Sequence, residues 1–344
     1  MEAPGPEVLF VLREGDDPAQ LRTLAANVRS VTIQDHELQL PILPAHVTKL
    51  VLLRVNLVGP VVLSEGLREL DLDETTSLRP IGLWTLPASL REIYISACEL
   101  KYLDLSHSQI KELHLIDQAT DSSWIKLPAS LKIMEIQECP FRSLPKLPAG
   151  LESLEITECL ELEDFSGARD ARILSLDYSC QYQPAGWVPP LALYENFSEL
   201  RHLAINSVSG FFPEISLTHL KELSFFNCDS REPVEVNAPN LETLLFENSP
   251  DIQLRGNYSS GVTKITLSDH EVFPEGDGWD SLESIRVYVY DQEAELELPQ
   301  LPWLRNLVTN KPVLTNGVLV SNILEYKQAW RMRRRVKRVQ GQFY

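Results

Sequence analysis

A nine-residue motif that returns about every twenty residues constrains this chain most strongly. Four copies show it clearly, at residues 90–98, 131–139, 151–159 and 220–228. Each copy has apolar residues at positions 1, 4 and 6 and a cysteine at position 9. The same register gives fourteen starts, at Val28, Val47, Leu67, Leu90, Ile110, Leu131, Leu151, Ala171, Leu200, Leu220, Leu241, Val262, Leu282 and Leu304. A constant period of this length predicts a repeat protein.

The alternation within the motif predicts a short strand. Positions 3 to 7 place positions 4 and 6 on one side of a strand and positions 3, 5 and 7 on the other. Because the next copy returns in the same phase, the strands are expected to be parallel and joined by crossovers. One copy alone cannot bury its apolar side, so the copies must stack to form a continuous core.

The motif resembles that of the leucine-rich-repeat proteins, L-x-x-L-x-L-x-x-N/C-x-L. The short unit and the L-P-x-x-L boundary at residues 86–90, 127–131 and 147–151 are similar to one subtype of that family. The resemblance implies an α/β-type repeat solenoid, a horseshoe with a parallel concave β-sheet. With about twenty residues per unit, the convex side is expected to be mostly non-helical.

Three segments are expected along the chain: an N-terminal cap at 1–27, a solenoid of about fourteen repeats at 28–316, and a C-terminal capping helix with a basic tail at 317–344. In the cap, Val8–Leu12 is predicted to be an edge strand. Residues 17–24 are predicted to be a short helix with Asp17 as N-cap and Pro18 at the first position.

The concave face is the predicted binding surface. Positions 3, 5 and 7 of the middle repeats are rich in acids, and like charges on neighbouring strands repel each other. The face is therefore predicted to bind a basic segment of a protein partner, although it could also be a solvated face that keeps the chain soluble. The candidate residues are Glu69, Asp71, Asp73, Glu92, Tyr94, Glu112, His114, Ile116, Ile133, Glu135 and Glu155, with Glu74, Asp117, Glu138, Glu152 and Glu158 at the margins.

Two further segments are candidate contact sites. The unit after Ala171 is longer than the others and is expected to emerge as an insertion loop, whose aromatic residues either contact a partner or fold back over the solenoid. These residues are Tyr182, Trp187 and Tyr194. The basic tail is compatible with a nuclear-import signal, with an arm that binds nucleic acid or an acidic surface, and with the solvated end of a capping helix. It contains Arg331, Arg333, Arg334, Arg335, Lys337 and Arg338.

The cysteines at position 9 are interpreted as structural, since this position in the resembled family hydrogen-bonds the backbone inside the solenoid. Metal or redox use of Cys139 and Cys159, expected on neighbouring repeats, is the alternative. The histidines and cysteines show no zinc-site spacing, and no phosphate-binding or nucleophile motif is present. We therefore expect no cofactor, no metal and no enzymatic activity.

The sequence has no apolar run of about 18 residues that would span a membrane. Residues 1–17 lack the pattern of a secretory signal, and the five cysteines are expected to be reduced. An intracellular location, cytoplasmic or nuclear, follows as an expectation. The predicted function is a non-catalytic protein–protein interaction module or scaffold. The alternative is the substrate-recognition part of a ubiquitin-ligase system, either F-box-like or of the bacterial effector type.

Overall fold

The computed structural model describes residues 8–77, 80–98, 102–118, 122–181, 196–212, 214–269, 273–274, 279–288, 297–298, 301, 303–309, 313–315 and 318–320. The chain divides into two units, Met1–Leu174 and Ser175–Tyr344. Among the described residues the helices are five short 3₁₀ helices, so the repeats are built almost wholly from strands and turns. None of the helices in these ranges is long and apolar enough to cross a membrane.

Unit 1 contains one long parallel sheet that follows the predicted repeat. Its strands are β1 (Val8–Leu12), β2 (Val28–Gln34), β4 (Lys49–Leu53), β6 (Glu69–Asp73), β8 (Glu92–Ser96), β10 (Glu112–Ile116), β12 (Ile133–Gln137) and β13 (Ser153–Thr157). They lie side by side in this order, and every pair is parallel. The strand that precedes the first repeat was expected to be an edge strand, and β1 confirms it.

Burial in unit 1 alternates as the motif requires. In β8, Ile93 and Ile95 at positions 4 and 6 are fully buried, whereas their neighbours on the other side of the strand are only partly covered. The residue at position 1 is buried as well, as with Leu90 and Leu131. Three apolar side chains per repeat therefore stack on those of the next repeat and form the core.

Shorter elements on the far side of the unit 1 repeats connect the long strands. The small strands are β3 (Glu37–Leu38), β5 (Asn56–Leu57), β7 (Thr76–Ser77), β9 (Leu103–Asp104) and β11 (Ile125–Lys126), and the 3₁₀ helices are Pro18–Arg22, Ile81–Leu83, Ser122–Trp124 and Ser166–Ala168. In the first helix the Asp17 side chain accepts a hydrogen bond from the Ala19 backbone, and Pro18 is the first residue. The predicted helix is therefore present, shortened to 3₁₀ geometry.

Unit 2 repeats the same pattern. Its long sheet contains β14 (Ser175–Ser179), β15 (His202–Asn206), β18 (Glu222–Phe226), β21 (Thr243–Glu247), β23 (Lys264–Ser268), β24 (Ser284–Tyr288) and β26 (Asn306–Thr309), all parallel. The shorter elements are β16 (Ser209–Gly210), β17 (Ile215–Ser216), β19 (Asp229–Ser230), β20 (Val234–Asn237), β22 (Leu254–Asn257), the 3₁₀ helix Ser259–Gly261, β25 (Glu297–Leu298), β27 (Val313–Thr315) and β28 (Val318–Val320). The last pair, β27 and β28, is antiparallel.

The predicted register is wrong at one repeat. A start at Ala171 would place a strand at residues 173–177, but β14 spans Ser175–Ser179. Ile173, Leu176 and Tyr178 are the buried residues, so Ile173 rather than Ala171 occupies position 1. Both registers bury Leu176. The predicted register would also bury Ala171 and Leu174, whereas the observed one buries the larger side chains of Ile173 and Tyr178. Ser179, which the sequence placed at position 9, is consequently the last residue of the strand.

Position 9 has the structural role that the repeat predicts. Cys139 Sγ donates a hydrogen bond to the Leu115 carbonyl of the preceding repeat at 3.5 Å, and Cys228 donates to that of Ile205 at 3.3 Å. Thr75 fills the same position and bonds the Leu52 carbonyl at 3.0 Å. Burial raises the pKa of the thiols of Cys98, Cys139 and Cys228 to about 11 each. All five cysteines are buried and are not linked by disulfide bonds.

Candidate functional site

The face of the unit 1 sheet opposite the core, called here the open face, carries positions 3, 5 and 7 of each repeat. All eleven residues predicted for the concave face lie on strands β6, β8, β10, β12 and β13 and occupy these positions. Their side chains are partly or largely exposed, whereas positions 4 and 6 between them are buried. Neighbouring strands are parallel and in register, so residues at the same position form rows across the sheet. Their role in binding stays a prediction.

The row at position 3 brings acids directly opposite each other. Glu69 is the register partner of Glu92, and Glu92 is the register partner of Glu112. Strands in a sheet are about 4.8 Å apart, and like charges at that spacing are destabilising. Beyond Glu112 the row continues with the 38% exposed Ile133, which adds an apolar contact surface beside the acids.

The row at position 5 contains Asp71, Tyr94, His114, Glu135 and Glu155 in successive register. The imidazole of His114 stacks on the ring of Tyr94, with ring centroids 3.9 Å apart and planes 10° apart. On its other side, His114 Nδ1 lies 2.5 Å from Glu135 Oε2. The sequence placed these residues on one face but gave no signal of the stack.

Glu92 interacts with the same group of side chains. Its carboxylate accepts a hydrogen bond from the Tyr94 hydroxyl, and this bond, together with burial and the surrounding acids, raises the pKa of Tyr94 well above its usual value. Glu92 Oε1 is also 3.8 Å from His114 Nε2. Glu92, Tyr94 and His114 therefore form one group of side chains that interact with one another.

A lysine lies beside the first acidic strand. Lys49 Nζ is 3.0 Å from Glu69 Oε2, and this contact raises the pKa of Lys49. Burial raises the pKa of Asp71; Lys49 opposes the shift and Asp73 adds to it. The acids of β6 are therefore only partly neutralised by Lys49.

Two salt bridges lie at the margin of the face. At position 2, Lys132 Nζ pairs with Glu152 Oε1 at 2.6 Å. At position 8, Arg54 Nε pairs with Asp35 Oδ1 at 2.6 Å. The predicted margin residue Glu152 thus has a basic partner in Lys132, as Glu69 at position 3 has in Lys49.

Position 8 also has a backbone role that the sequence analysis missed. Eleven non-glycine residues of the described ranges have positive φ between 46° and 56°, and all of them occupy position 8 of their repeats. They are Asp35, Arg54, Glu74, Ala97, Asp117, Glu138, Glu158, Ser207, Asn227, Asn248 and Asp269. The frequent Asp, Asn and Ser at position 8 are the sequence signal that could have predicted this turn, since Asp and Asn tolerate the left-handed conformation best among non-glycine residues. Four predicted margin acids, Glu74, Asp117, Glu138 and Glu158, are therefore also turn residues.

The two other predicted contact sites are the insertion loop and the basic tail. Tyr182, Trp187 and Tyr194 of the insertion loop lie outside the described residues, and so does the whole basic tail from Arg331 to Arg338. The capping helix predicted within 317–344 also lies outside them, apart from Val318–Val320, which is a strand.

The chain has weak similarity to known structures and none to the known sequence families. No protein-family model matches the chain, and no curated protein sequence matches it. Among solved structures, a circular leucine-rich-repeat protein, CroV588, matches 89% of this chain with 13% identity and a TM-score of 0.35. The chain spans 59% of that protein's length. YopM from Yersinia enterocolitica matches 82% of the chain, over 74% of its own length, with 18% identity and a TM-score of 0.29.

The chain's own features define its fold. Parallel strands recur with the period of the motif, positions 1, 4 and 6 are buried, and position 9 hydrogen-bonds the preceding repeat. The described residues of both units therefore form leucine-rich-repeat solenoids with parallel sheets and non-helical connections.

Proposed function

We propose that this chain is a non-catalytic protein-interaction module and that the open face of unit 1 binds a basic segment of a partner protein. The observation that carries the proposal is the row of acids Glu69, Glu92 and Glu112, which face one another in register. Nothing in the repeat requires these charges, because the fold depends on positions 1, 4, 6 and 9. A function in binding accounts for an arrangement that costs folding free energy.

The spacing of the acids suits an extended basic segment. Acids at one position are about 4.8 Å apart between neighbouring strands, and positions 3, 5 and 7 of one strand are about 6.6 Å apart. Lysine and arginine side chains can reach several of these carboxylates at once. Ile116 and Ile133 provide apolar contacts beside the acids, so the surface offers more than charge alone.

Charge reversal on the open face tests the proposal. The tagged protein is used to capture partners, which are identified by mass spectrometry, and each capture is repeated with Asp71→Lys, Asp73→Lys and Glu155→Lys combined. We expect the loss of the specific partner, with binding of the wild type weakening as salt rises. The variant should keep a melting temperature near that of the wild type, since these side chains lie outside the core.

The matched control makes the same change in net charge elsewhere on unit 1. Glu161, Glu163 and Asp170 are exposed residues outside the long sheet, and their combined reversal to lysine should leave capture intact. Capture that survives the open-face reversal would overturn the proposal, and equal loss in both variants would show unspecific charge attraction. Ligase subunits among the captured proteins would favour the ubiquitin-ligase alternative.

A further inference from the structure

Three side chains on the open face converge on one point. Glu92 on β8 and Glu112 on β10 are register partners, and His114 lies two residues beyond Glu112 on the same face. Each offers one ligand atom, and the three atoms lie within 4.8 Å of one another. Tetrahedral zinc with bonds of ~2.0–2.1 Å holds its ligand atoms roughly 3.3 Å apart. Binding of the ion would require side-chain rotation of the two glutamates to close this difference.

The hydrogen bonding of His114 leaves one ring nitrogen available as a ligand. A carboxylate only accepts hydrogen bonds, so the close contact with Glu135 Oε2 places a proton on His114 Nδ1. In the neutral ring the lone pair is then on Nε2, which lies on the side of Glu92. Nε2 is buried and has no hydrogen-bond partner in the structure, and the side chain is only 12% exposed. A metal ligand requires this arrangement of the imidazole.

The surrounding residues hold the ligands in place. Histidines that bind zinc commonly donate their second N–H to a carboxylate, and Glu135 occupies that position. The Tyr94 hydroxyl donates to Glu92, and the Tyr94 ring stacks on the imidazole. Two of the three ligands are therefore oriented by neighbours on the same sheet face.

We propose that Glu92, Glu112 and His114 form a divalent metal site on the open face, with Zn²⁺ as the best-matched ion and water completing the coordination. An imidazole together with two carboxylates suits zinc, whereas magnesium and calcium prefer ligand sets made of oxygen alone. The cation also neutralises the two facing glutamates, whose repulsion otherwise costs folding free energy, and it leaves the other acids of the open face to bind a basic segment. A network of contacts between His114, Glu92 and Glu135 alone is the competing arrangement, and it needs no metal.

Metal titration of the full chain separates the two arrangements. Zn²⁺ is titrated at pH 7.5 in competition with a chromophoric chelator, and Co²⁺ is added separately to record its visible absorption bands. We expect one ion per chain and the intense bands of four-coordinate cobalt. Zinc should also raise the melting temperature, because an ion that binds the folded state alone stabilises it.

Substitutions identify the ligands. Glu92→Gln and Glu112→Gln should each weaken Zn²⁺ binding at least tenfold and abolish the zinc-dependent rise in melting temperature. Glu135→Gln should weaken binding by about 10- to 100-fold through the orientation of His114. Melting without metal shows that each variant is folded.

A second histidine–glutamate pair provides the matched control. His202 Nδ1 lies 3.3 Å from Glu222 Oε2 on unit 2, and both side chains are about half exposed. Glu222→Gln changes the same kind of group by the same charge and should leave Zn²⁺ affinity unaltered. The proposal is overturned if no stoichiometric ion binds, if Glu92→Gln and Glu112→Gln bind zinc as the wild type does, or if Glu222→Gln weakens binding equally.

Discussion

Ala97 has a backbone conformation that alanine rarely adopts. Its φ is 47°, a left-handed value that costs a non-glycine residue roughly 1–2 kcal/mol. We expect Ala97→Gly to raise the free energy of unfolding by about 0.5–1 kcal/mol, since relief of strain exceeds the added chain entropy of glycine. Urea denaturation measures the change.

Ala204→Gly is the control for that substitution. Ala204 lies in the middle of β15, where glycine weakens a strand by roughly 0.5–1 kcal/mol. The same chemical change should therefore have opposite signs at the two positions. Destabilisation of similar size at both would show that position 8 is not strained.

Two acidic residues of unit 2 should respond oppositely to pH. Burial raises the pKa of Asp177, so this carboxyl group binds a proton more tightly in the folded protein than in the unfolded chain. Its stabilising contribution is complete below the unfolded pKa and is lost as pH rises through the folded pKa. Asp177→Asn should accordingly raise the melting temperature by about 1–2 °C at pH 7 and leave it unchanged at pH 3.

The contribution of Glu242 to stability depends on pH in the opposite direction. The hydrogen bond from Lys221 lowers its pKa, so its contribution is present above the unfolded pKa and is lost as pH falls through the folded pKa. Glu242→Gln should lower the melting temperature slightly at pH 7 and have no effect at pH 3. Melting curves at both pH values check the two variants, and a rise for Glu242→Gln at pH 7 would contradict the assignment.

At the scale of the strand, the alternation of apolar residues was sufficient to predict most of the structure. Ile93 and Ile95 could be assigned to the core because only one phase of a period of two buries both. The alternation does not decide the register at β14, because the predicted and the observed registers differ by two residues, share one phase and both bury Leu176. The volumes of Ile173 and Tyr178 decide between the two registers. Side-chain size, which the motif does not encode, was the missing information.

The candidate site was less predictable than the strands. Register placed Tyr94, His114 and Glu135 in one row, since all three occupy position 5. The stack of His114 on Tyr94 and the direction of Nε2 depend on side-chain rotamers, which leave no trace in the spacing of residues. The sequence therefore predicted the surface but not the convergence of Glu92, Glu112 and His114.

The strand assignment predicts different costs for two isoleucines in neighbouring repeats. Ile95 is fully buried in β8, whereas Ile116 lies on the open face of β10. Ile95→Ala should cost about 2–5 kcal/mol, because it removes buried surface and leaves a cavity. Ile116→Ala should cost less than about 1 kcal/mol. Equal costs in chemical denaturation would contradict the assignment of the two faces.

At the scale of the whole chain, charge is distributed unevenly along the sequence. The formal net charge is −18, with 49 acidic and 31 basic residues. Residues 323–344 contain seven basic residues and one acid, Glu325, so this segment has a net charge of +6. The rest of the chain therefore has a net charge of −18 − 6 = −24. A nucleic acid is repelled by most of this chain and attracted by the tail alone. Binding to an acidic polymer, if it occurs, must therefore depend on the tail.

Deletion of residues 331–344 tests the separate role of the tail. It removes six basic residues, so the deleted chain should lose retention on duplex DNA or change its distribution between nucleus and cytoplasm. Any DNA binding by the full chain should weaken steeply with salt, because each phosphate contact releases counterions. The affinity of the open face for its own partner should stay constant, since the deletion leaves every acid of the open face in place. A clear rise in that affinity on deletion would show instead that the tail competes for the acids, as its opposite charge allows, and the prediction of independent roles would be wrong.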